Sequence, residues 1–232
     1  MNIACIAAAG SGTRMDLPMV NKQFLPLDNV PLIAHCVNAF NMEEFSSIVV
    51  AVQKIHIEQT ILLLKMFCPN VKPFVIEGGA SRNETILKLA DFSINVLEAK
   101  DSDLIITHDA ARPLVKKNTI LKNIENATKY DCTGTAVGVT DSVYFSKDKK
   151  TIDSTIDRYN VFLAQTPQTF SVLAYKQLKS KLAKEDLESN MDICSLFHKY
   201  GFNVGFVKGN AKNIKITVDE DYTLAKIYKG LE

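Results

Sequence analysis

The residues best placed to do chemistry in this chain are two cations on a glycine-rich loop. Gly10-Ser11-Gly12 closes the first apolar run and is followed by Arg14 and then Lys22. Glycines let backbone amides approach an anion closely and form a cradle around phosphate. Arg14 can grip oxygens with a planar fork while Lys22 acts as a mobile point charge. Nucleotidyl transfer asks little of a protein beyond positioning and charge stabilisation, so the pair suits that reaction. Taken alone, a Gly-x-Gly turn carrying solvated charges fits the same residues. A dinucleotide fingerprint would need glycine or alanine where Met15 stands, and Pro18, Pro26 and Pro31 interrupt the helix that should follow. The pattern GxxxxGK[ST] is absent.

Two more junctions repeat the theme. Gly78-Gly79 follows the run ending at Glu77 and precedes Arg82-Asn83-Glu84-Thr85. At THDAARP (107–113), Asp109 and Arg112 follow another apolar run. An aspartate there can orient a substrate hydroxyl or stand near Mg²⁺, and an arginine can hold an anion. The plainer role for Asp109 is a helix cap before Pro113. Three such junctions predicted on one sheet edge favour function, and His108 reads as structural rather than as a base.

The elements that must position these residues alternate. Runs at 2–8, 47–53, 72–77 and 103–108 read as buried strands, and 31–44, 55–67, 81–99 and 117–130 as helices, the first opened by Pro31. The alternation predicts an α/β fold with a Rossmann-like, mostly parallel sheet and helices on both faces. After 132–139, the stretches 141–146 and 151–156 flank KDKK as an exposed hairpin, an arm spanning 139–160. An isolated two-stranded hairpin is marginal in water, so the arm is either a dimerisation element or a solvated hairpin. The chain returns through 161–170, two helical patterns, 203–208, 213–218 and a helix after Asp219. The reading is one domain, 1–232, with an arm.

Lys+Arg 27 against Asp+Glu 26 leaves a net charge of +1, which excludes a general nucleic-acid coat or a polybasic membrane binder. No apolar run approaches the roughly 20 residues that span a bilayer. MNIACIAAAG has no basic residue before Arg14 and does not read as a signal peptide. Five widely spaced cysteines offer no CxxC pair and no disulfide framework, as expected in a reducing cytoplasm.

With these residues in view, AAAGSGTRM…NKQFLPL, GGASRNETI, THDAARP, DR…QTPQTF and NIKIT together resemble the cytidylyltransferases of the 2-C-methyl-D-erythritol 4-phosphate and ribitol 5-phosphate types. The motifs stand in family order from Ala8 to Thr217; each alone is weakly specific and the set is highly specific. The resemblance implies a Rossmann-like core with a projecting arm and homodimers whose arms help build each other's sites. It implies transfer of CMP from CTP to a small polyol phosphate with Mg²⁺, releasing pyrophosphate. By matching position, Ala8, Ala9, Gly10, Ser11, Gly12, Gly78, Gly79, Arg82, Asn83 and Thr85 would contact the nucleotide. Arg14 and Lys22 match the transition-state stabilisers. Asp109, Arg112, Ser142, Arg158 and Thr166 match positions around the polyol phosphate, and Lys215 matches the lysine that positions substrates. Most metal ligands would be phosphate oxygens. Without the resemblance, Arg158 and Lys215 read as ordinary charges.

The Arg14–Lys22 separation, KQFL, SRNETI, ITHDA, and Tyr144 in DSVY, where the methylerythritol type commonly has lysine, side with the ribitol type. HDAARP and the IDR before Tyr159 side with the methylerythritol type. Ser142 and Met191 both stand where threonine is common. The expectation is a ribitol-5-phosphate cytidylyltransferase giving CDP-ribitol for cell-wall or surface polysaccharide; the alternative is the methylerythritol enzyme of isoprenoid biosynthesis. A remoter reading is an NAD(P)-dependent oxidoreductase, against which Met15 and the proline-punctuated loop argue. A degenerate, nucleotide-binding family member is opposed by the retention of Arg14 and Lys22.

Overall fold

The structure, a computed structural model, describes residues 1–10, 21–189 and 191–230. Strand β1 (Asn2–Ala7) lies inside its sheet, and its side chains alternate between two cores. Ile3 and Cys5 point into one cluster, and Ala4 and Ile6 into the other. That is the period-2 geometry of a strand buried on both faces, and it explains why the run is apolar throughout.

In chain order the elements are β2 (Pro26–Leu27), β3 (Val30–Pro31), α1 (Leu32–Ala39), β4 (Ser47–Val52), α2 (Ile57–Phe67), β5 (Phe74–Glu77), α3 (Arg82–Asn95), β6 (Leu104–Asp109) and α4 (Lys117–Asn126). Then follow β7 (Cys132–Gly138), β8 (Val143–Phe145), β9 (Ser154–Ile156), β10 (Phe162–Ser171), α5 (Val172–Lys179), α6 (Lys184–Glu188), α7 (Ile193–Lys199), β11 (Val204–Lys208) and α8 (Asp219–Gly230). Seven strands form one sheet in the order β11-β7-β10-β6-β1-β4-β5. Its neighbours are parallel except where β10 runs antiparallel to both β6 and β7. Helix α3 packs with α5 and α7 residues on one face, while α1, α2 and α4 residues cover the other. The expected α/β sheet with helices on both faces is therefore present.

Several local expectations need correction. The helix foreseen at 31–44 stops at Ala39, because Phe40 and Phe45 fold back onto one another (ring centroids 5.4 Å apart) and into the core. Those foreseen at 81–99 and 117–130 end at Asn95 and Asn126. The two helical patterns before residue 203 resolve into α5, α6 and α7. The stretch 213–218 alternates like a strand but joins no sheet; its backbone tie is Ile216 N–H to the Ala111 carbonyl at 2.8 Å. The hairpin β8–β9 forms a separate two-stranded sheet around an exposed Lys147–Lys150 turn. Cys132 and Cys194 lie 3.5 Å apart, sulfur to sulfur, as free thiols.

Candidate active site

Strands β1, β4 and β6 are parallel, so their C-terminal ends open on one edge, where α/β sheets bind ligands. A cavity of about 790 Å³ lies there, lined by Ala8, Ala9 and Gly10 after β1, Gln53 after β4, and Asp109 at the end of β6. Gly79, Arg82 and Thr85 line it from the start of α3, with Lys22 and Lys215 from two flanking loops.

Small residues are required where the first two loops meet. A Cβ on Gly78 would come within 2.4 Å of the Ala9 Cβ, and one on Gly79 within 2.5 Å of the Glu84 Cβ. The turn after β5 is fixed by side chains of α3. The Ser81 hydroxyl accepts from Glu84 N–H at 3.1 Å, and the Glu84 carboxylate accepts from Ala80 N–H at 2.8 Å, a reciprocal cap. The Thr85 hydroxyl accepts from Gly79 N–H at 3.0 Å and donates to the Ser81 carbonyl at 2.8 Å. Thr85 thereby shapes the glycine turn from beneath.

Asp109 is the electrostatic centre. Its Oδ1 takes Arg82 Nε at 2.9 Å and its Oδ2 takes Lys215 Nζ at 2.8 Å. Burial would raise its pKa, but the Arg82 and Lys215 charges outweigh that and hold the carboxyl far below the ordinary range. It stays ionised, and with both oxygens committed it anchors two cations at the cavity floor. No helix starts here before Lys117, so the capping role for Asp109 is not the one observed.

Behind it lies a neutral relay. His108 Nε2 donates to the Arg112 carbonyl at 3.0 Å, and its Nδ1 accepts from the Thr166 hydroxyl at 2.9 Å. That hydroxyl in turn accepts from Asp109 N–H at 3.2 Å. Burial, aided by the positive Arg112 and Arg82, pushes the His108 pKa down to about 4. A buried neutral imidazole with both nitrogens occupied is a brace for Asp109, in keeping with a structural role.

The candidate residues therefore separate. Ala8, Ala9, Gly10, Lys22, Gly79, Arg82, Thr85, Asp109 and Lys215 meet at the cavity. Gly78, Asn83, Arg112 and Thr166 support it from outside. Asn83 is buried and donates to the carbonyls of Asp186 at 3.1 Å and Ser189 at 3.4 Å. Arg112 donates to the Asn213 carbonyl at 2.8 Å and the Ala164 carbonyl at 3.3 Å, holding the loop that carries Lys215. Ser142 and Arg158 sit exposed on the arm, where Arg158 donates to the Thr140 carbonyl at 3.0 Å; the structure does not bring them into the cavity. Ser11, Gly12 and Arg14 lie outside the described residues.

Sequence reasoning missed part of the wall. Glu188, Ser189 and Met191 line the cavity, clamped there by Asn83 and by the Ser81 hydroxyl, which donates to the Leu187 carbonyl. Only Met191 carried a signal, standing where threonine was expected. Gln23 also lines the cavity, buried beside Lys22. Among the described residues no three His, Cys, Asp or Glu side chains cluster to hold a metal ion. With both Asp109 oxygens in ion pairs, the described donor set does not fit a protein-held cation.

A family model described as IspD, 2-C-methyl-D-erythritol 4-phosphate cytidylyltransferase, matches residues 2–230. A crystal structure of 4-diphosphocytidyl-2C-methyl-D-erythritol synthase is similar with a TM-score of 0.79 at 25% identity, covering 97% of each chain. The 2-C-methyl-D-erythritol 4-phosphate cytidylyltransferase of Francisella tularensis matches with a TM-score of 0.78 at 26% identity, over 97% of this chain and 98% of that one. The bifunctional IspDF of Campylobacter jejuni matches with a TM-score of 0.74 at 31% identity, over 96% of this chain but 53% of its own length.

Proposed function

The chain belongs to the IspD family and is a CTP-dependent cytidylyltransferase, and on that footing we propose that it transfers CMP from CTP to ribitol 5-phosphate in the cavity at the sheet edge. The observation that carries this location is the pairing of Arg82 and Lys215 with Asp109 in one cavity that Lys22 and the Ala8–Gly10 and Gly79 turns also line. A phosphate oxygen of the polyol attacks the α-phosphorus of CTP, a new phosphorus–oxygen bond forms, and the bond to the leaving pyrophosphate breaks. A phosphate monoester has its second pKa near 6, so at pH 7 it attacks without a protein base. This accords with a His108 that is buried and already bonded at both nitrogens. Arg14 and Lys22 neutralise the charge developing on the transferred and leaving phosphates. Of the two floor cations held by Asp109, Arg82 contacts the nucleotide and Lys215 positions the substrates for in-line attack. A divalent cation such as Mg²⁺ would be carried by the phosphates of CTP rather than by protein carboxylates, and would supply further charge neutralisation there.

The arm completes the site in a homodimer, where each copy brings its Ser142 and Arg158 to the other's cavity. Exposed Tyr144, Phe145, Ile156, Tyr159, Phe162 and Leu163 on the arm and its root support that arrangement. No helix among the described residues is long and apolar enough to cross a membrane, and we place the enzyme in the cytoplasm.

Tyr144 on the arm, in place of a lysine, favours ribitol 5-phosphate and a surface-polysaccharide role. The family description favours 2-C-methyl-D-erythritol 4-phosphate. Pyrophosphate release with CTP and Mg²⁺, measured with each polyol phosphate in turn, decides between them. A kcat/KM at least tenfold higher for ribitol 5-phosphate is expected, and the reverse preference would overturn the substrate assignment.

A further inference from the structure

Gln23 is 4% exposed, yet its side-chain Nε2 is buried with no hydrogen-bond partner among the described residues. Buried amide donors are almost always satisfied, and one left open at a cavity wall requires an explanation. The backbone that carries it has little freedom to move. Gln23 is the middle of a short turn, Lys22–Phe24, closed by Phe24 N–H to the Asn21 carbonyl at 2.9 Å and Leu25 N–H to the Lys22 carbonyl at 3.1 Å. The turn is pinned beyond Gln23 by the Phe24 ring edge-on to His56, with centroids 5.4 Å apart, and by buried Leu25. Gln23 is therefore held at the wall of the cavity, one residue from Lys22, and bringing its open donor to a ligand there takes a side-chain rotation and no backbone movement.

We infer that Gln23 is a further nucleotide-binding residue, its amide Nε2 donating to a phosphate oxygen of the CTP triphosphate. The inference rests on reading this cavity as the CTP site. An Nε2 group only donates and a phosphate oxygen only accepts, so the pairing satisfies the group that the protein leaves open. Beside Lys22 a neutral donor adds a directed bond without crowding a second cation against the first. The donor stays unsatisfied until the ligand arrives, as expected where binding rather than stability selects the residue.

The test uses the full chain with Gln23→Met, which keeps the length and removes the donor, and Gln23→Glu, which puts a carboxylate against the phosphate. Thermal melting without ligand, KM for CTP, kcat, and inhibition constants of inorganic triphosphate and of cytidine are measured for each. Gln23→Met is expected to melt no lower than the wild type, to raise KM for CTP and the triphosphate inhibition constant about tenfold, and to leave cytidine inhibition unchanged. Gln23→Glu is expected to lose more, on the order of a hundredfold, in the same two constants. Unchanged triphosphate inhibition in Gln23→Met overturns the inference, as does an equal weakening of cytidine, which would assign the amide to the nucleoside. A lower melting temperature with wild-type constants overturns it too, as a packing role. Lys22→Ala run in parallel separates the two levels. If it slows turnover while Gln23→Met does not alter triphosphate inhibition, only the Gln23 inference fails. If neither variant changes any constant, the cavity itself is misassigned.

Discussion

The floor of the cavity and the arm present the same kinds of side chain in opposite states. At the floor, Arg82 and Lys215 are locked to a buried Asp109 at 2.9 and 2.8 Å, with His108 and Thr166 bracing the aspartate from behind. On the arm, Arg158 and Ser142 are exposed, and among the described residues the arginine is tied to the Thr140 carbonyl and its neighbour's ring, Tyr159. The first region has its geometry set within one chain. The second has polar groups and a run of apolar residues that are exposed in the single chain. In the dimer proposed above, the floor would position charge and the arm would complete the site, and the contrast gives each role its own test.

The largest loss is expected from Asp109→Asn, which removes the anchor of the preorganised region. Arg82 and Lys215 would then face each other without a counter-charge, and kcat/KM should fall by roughly 10²- to 10³-fold. Stability should drop by roughly 2 kcal/mol, below the range for fully buried pairs because the Arg82 and Lys215 side chains are 29% and 34% exposed. Steady-state kinetics and urea denaturation check both, and a variant with wild-type kcat/KM would show that the floor does not position the substrates. Next in size is Lys22→Ala, expected to lower kcat about 10²-fold with a much smaller change in CTP affinity. A loss confined to affinity would move Lys22 from the transition state to ground-state binding.

The arm gives a different kind of loss. Deleting 141–157 should convert a dimer to a monomer by light scattering and cut kcat/KM by about tenfold or more, while the melting temperature changes little because β8–β9 is a sheet of its own. A fully active monomer would erase the contrast, leaving the floor sufficient alone. If Arg158→Ala keeps the dimer but raises KM for the polyol phosphate, the arm's contribution is chemical as well as architectural.

How much of this was legible in the sequence follows from which interactions are local. The parallel strands and the glycine junctions read directly, because buried strands need continuous apolar runs and close backbone approach needs glycine. The antiparallel sense of β10 did not, since a strand's side-chain pattern carries no direction. Residues 213–218 show why an alternating stretch need not join a sheet. Ile214 and Ile216 alternate inward as a strand's would, but they pack into a small cluster with Leu27 and Leu114, and the segment crosses the sheet edge to deliver Lys215 to Asp109. Asn83 and Thr166 kept their place near the site but not a place in it, because hydrogen-bond partners across the chain are invisible to motif spacing. Glu188 and Ser189 gave no signal; their position depends on Asn83, which reaches them from α3.

The last effect concerns pH and sharpens the contrast through stability. Burial holds His108 neutral, with its pKa lowered to about 4 from the 6.5 of the free side chain. A base whose pKa is lower in the folded state binds fewer protons than its unfolded counterpart between those values, so stability falls as pH drops through that window. From pH 7 to pH 5 the loss amounts to about 2 kcal/mol. Asp109 works in the same direction but at lower pH. Its pKa is depressed in the folded state by Arg82 and Lys215, so its contribution is complete above the ordinary carboxylate value near 3.9 and fades only below it. Denaturation at pH 7 and pH 5 should therefore separate the two groups, with the loss in this window carried by His108. In His108→Asn, whose side chain does not titrate, the pH 7 to pH 5 difference should shrink by about 2 kcal/mol, whatever the variant costs at pH 7. The arm deletion should keep the wild-type difference, since the charged groups that act on the buried imidazole are Asp109, Arg112 and Arg82, none of them on the arm. If the arm deletion removed the pH dependence and His108→Asn retained it, the acid-sensitive part of the molecule would be the arm rather than the brace behind Asp109.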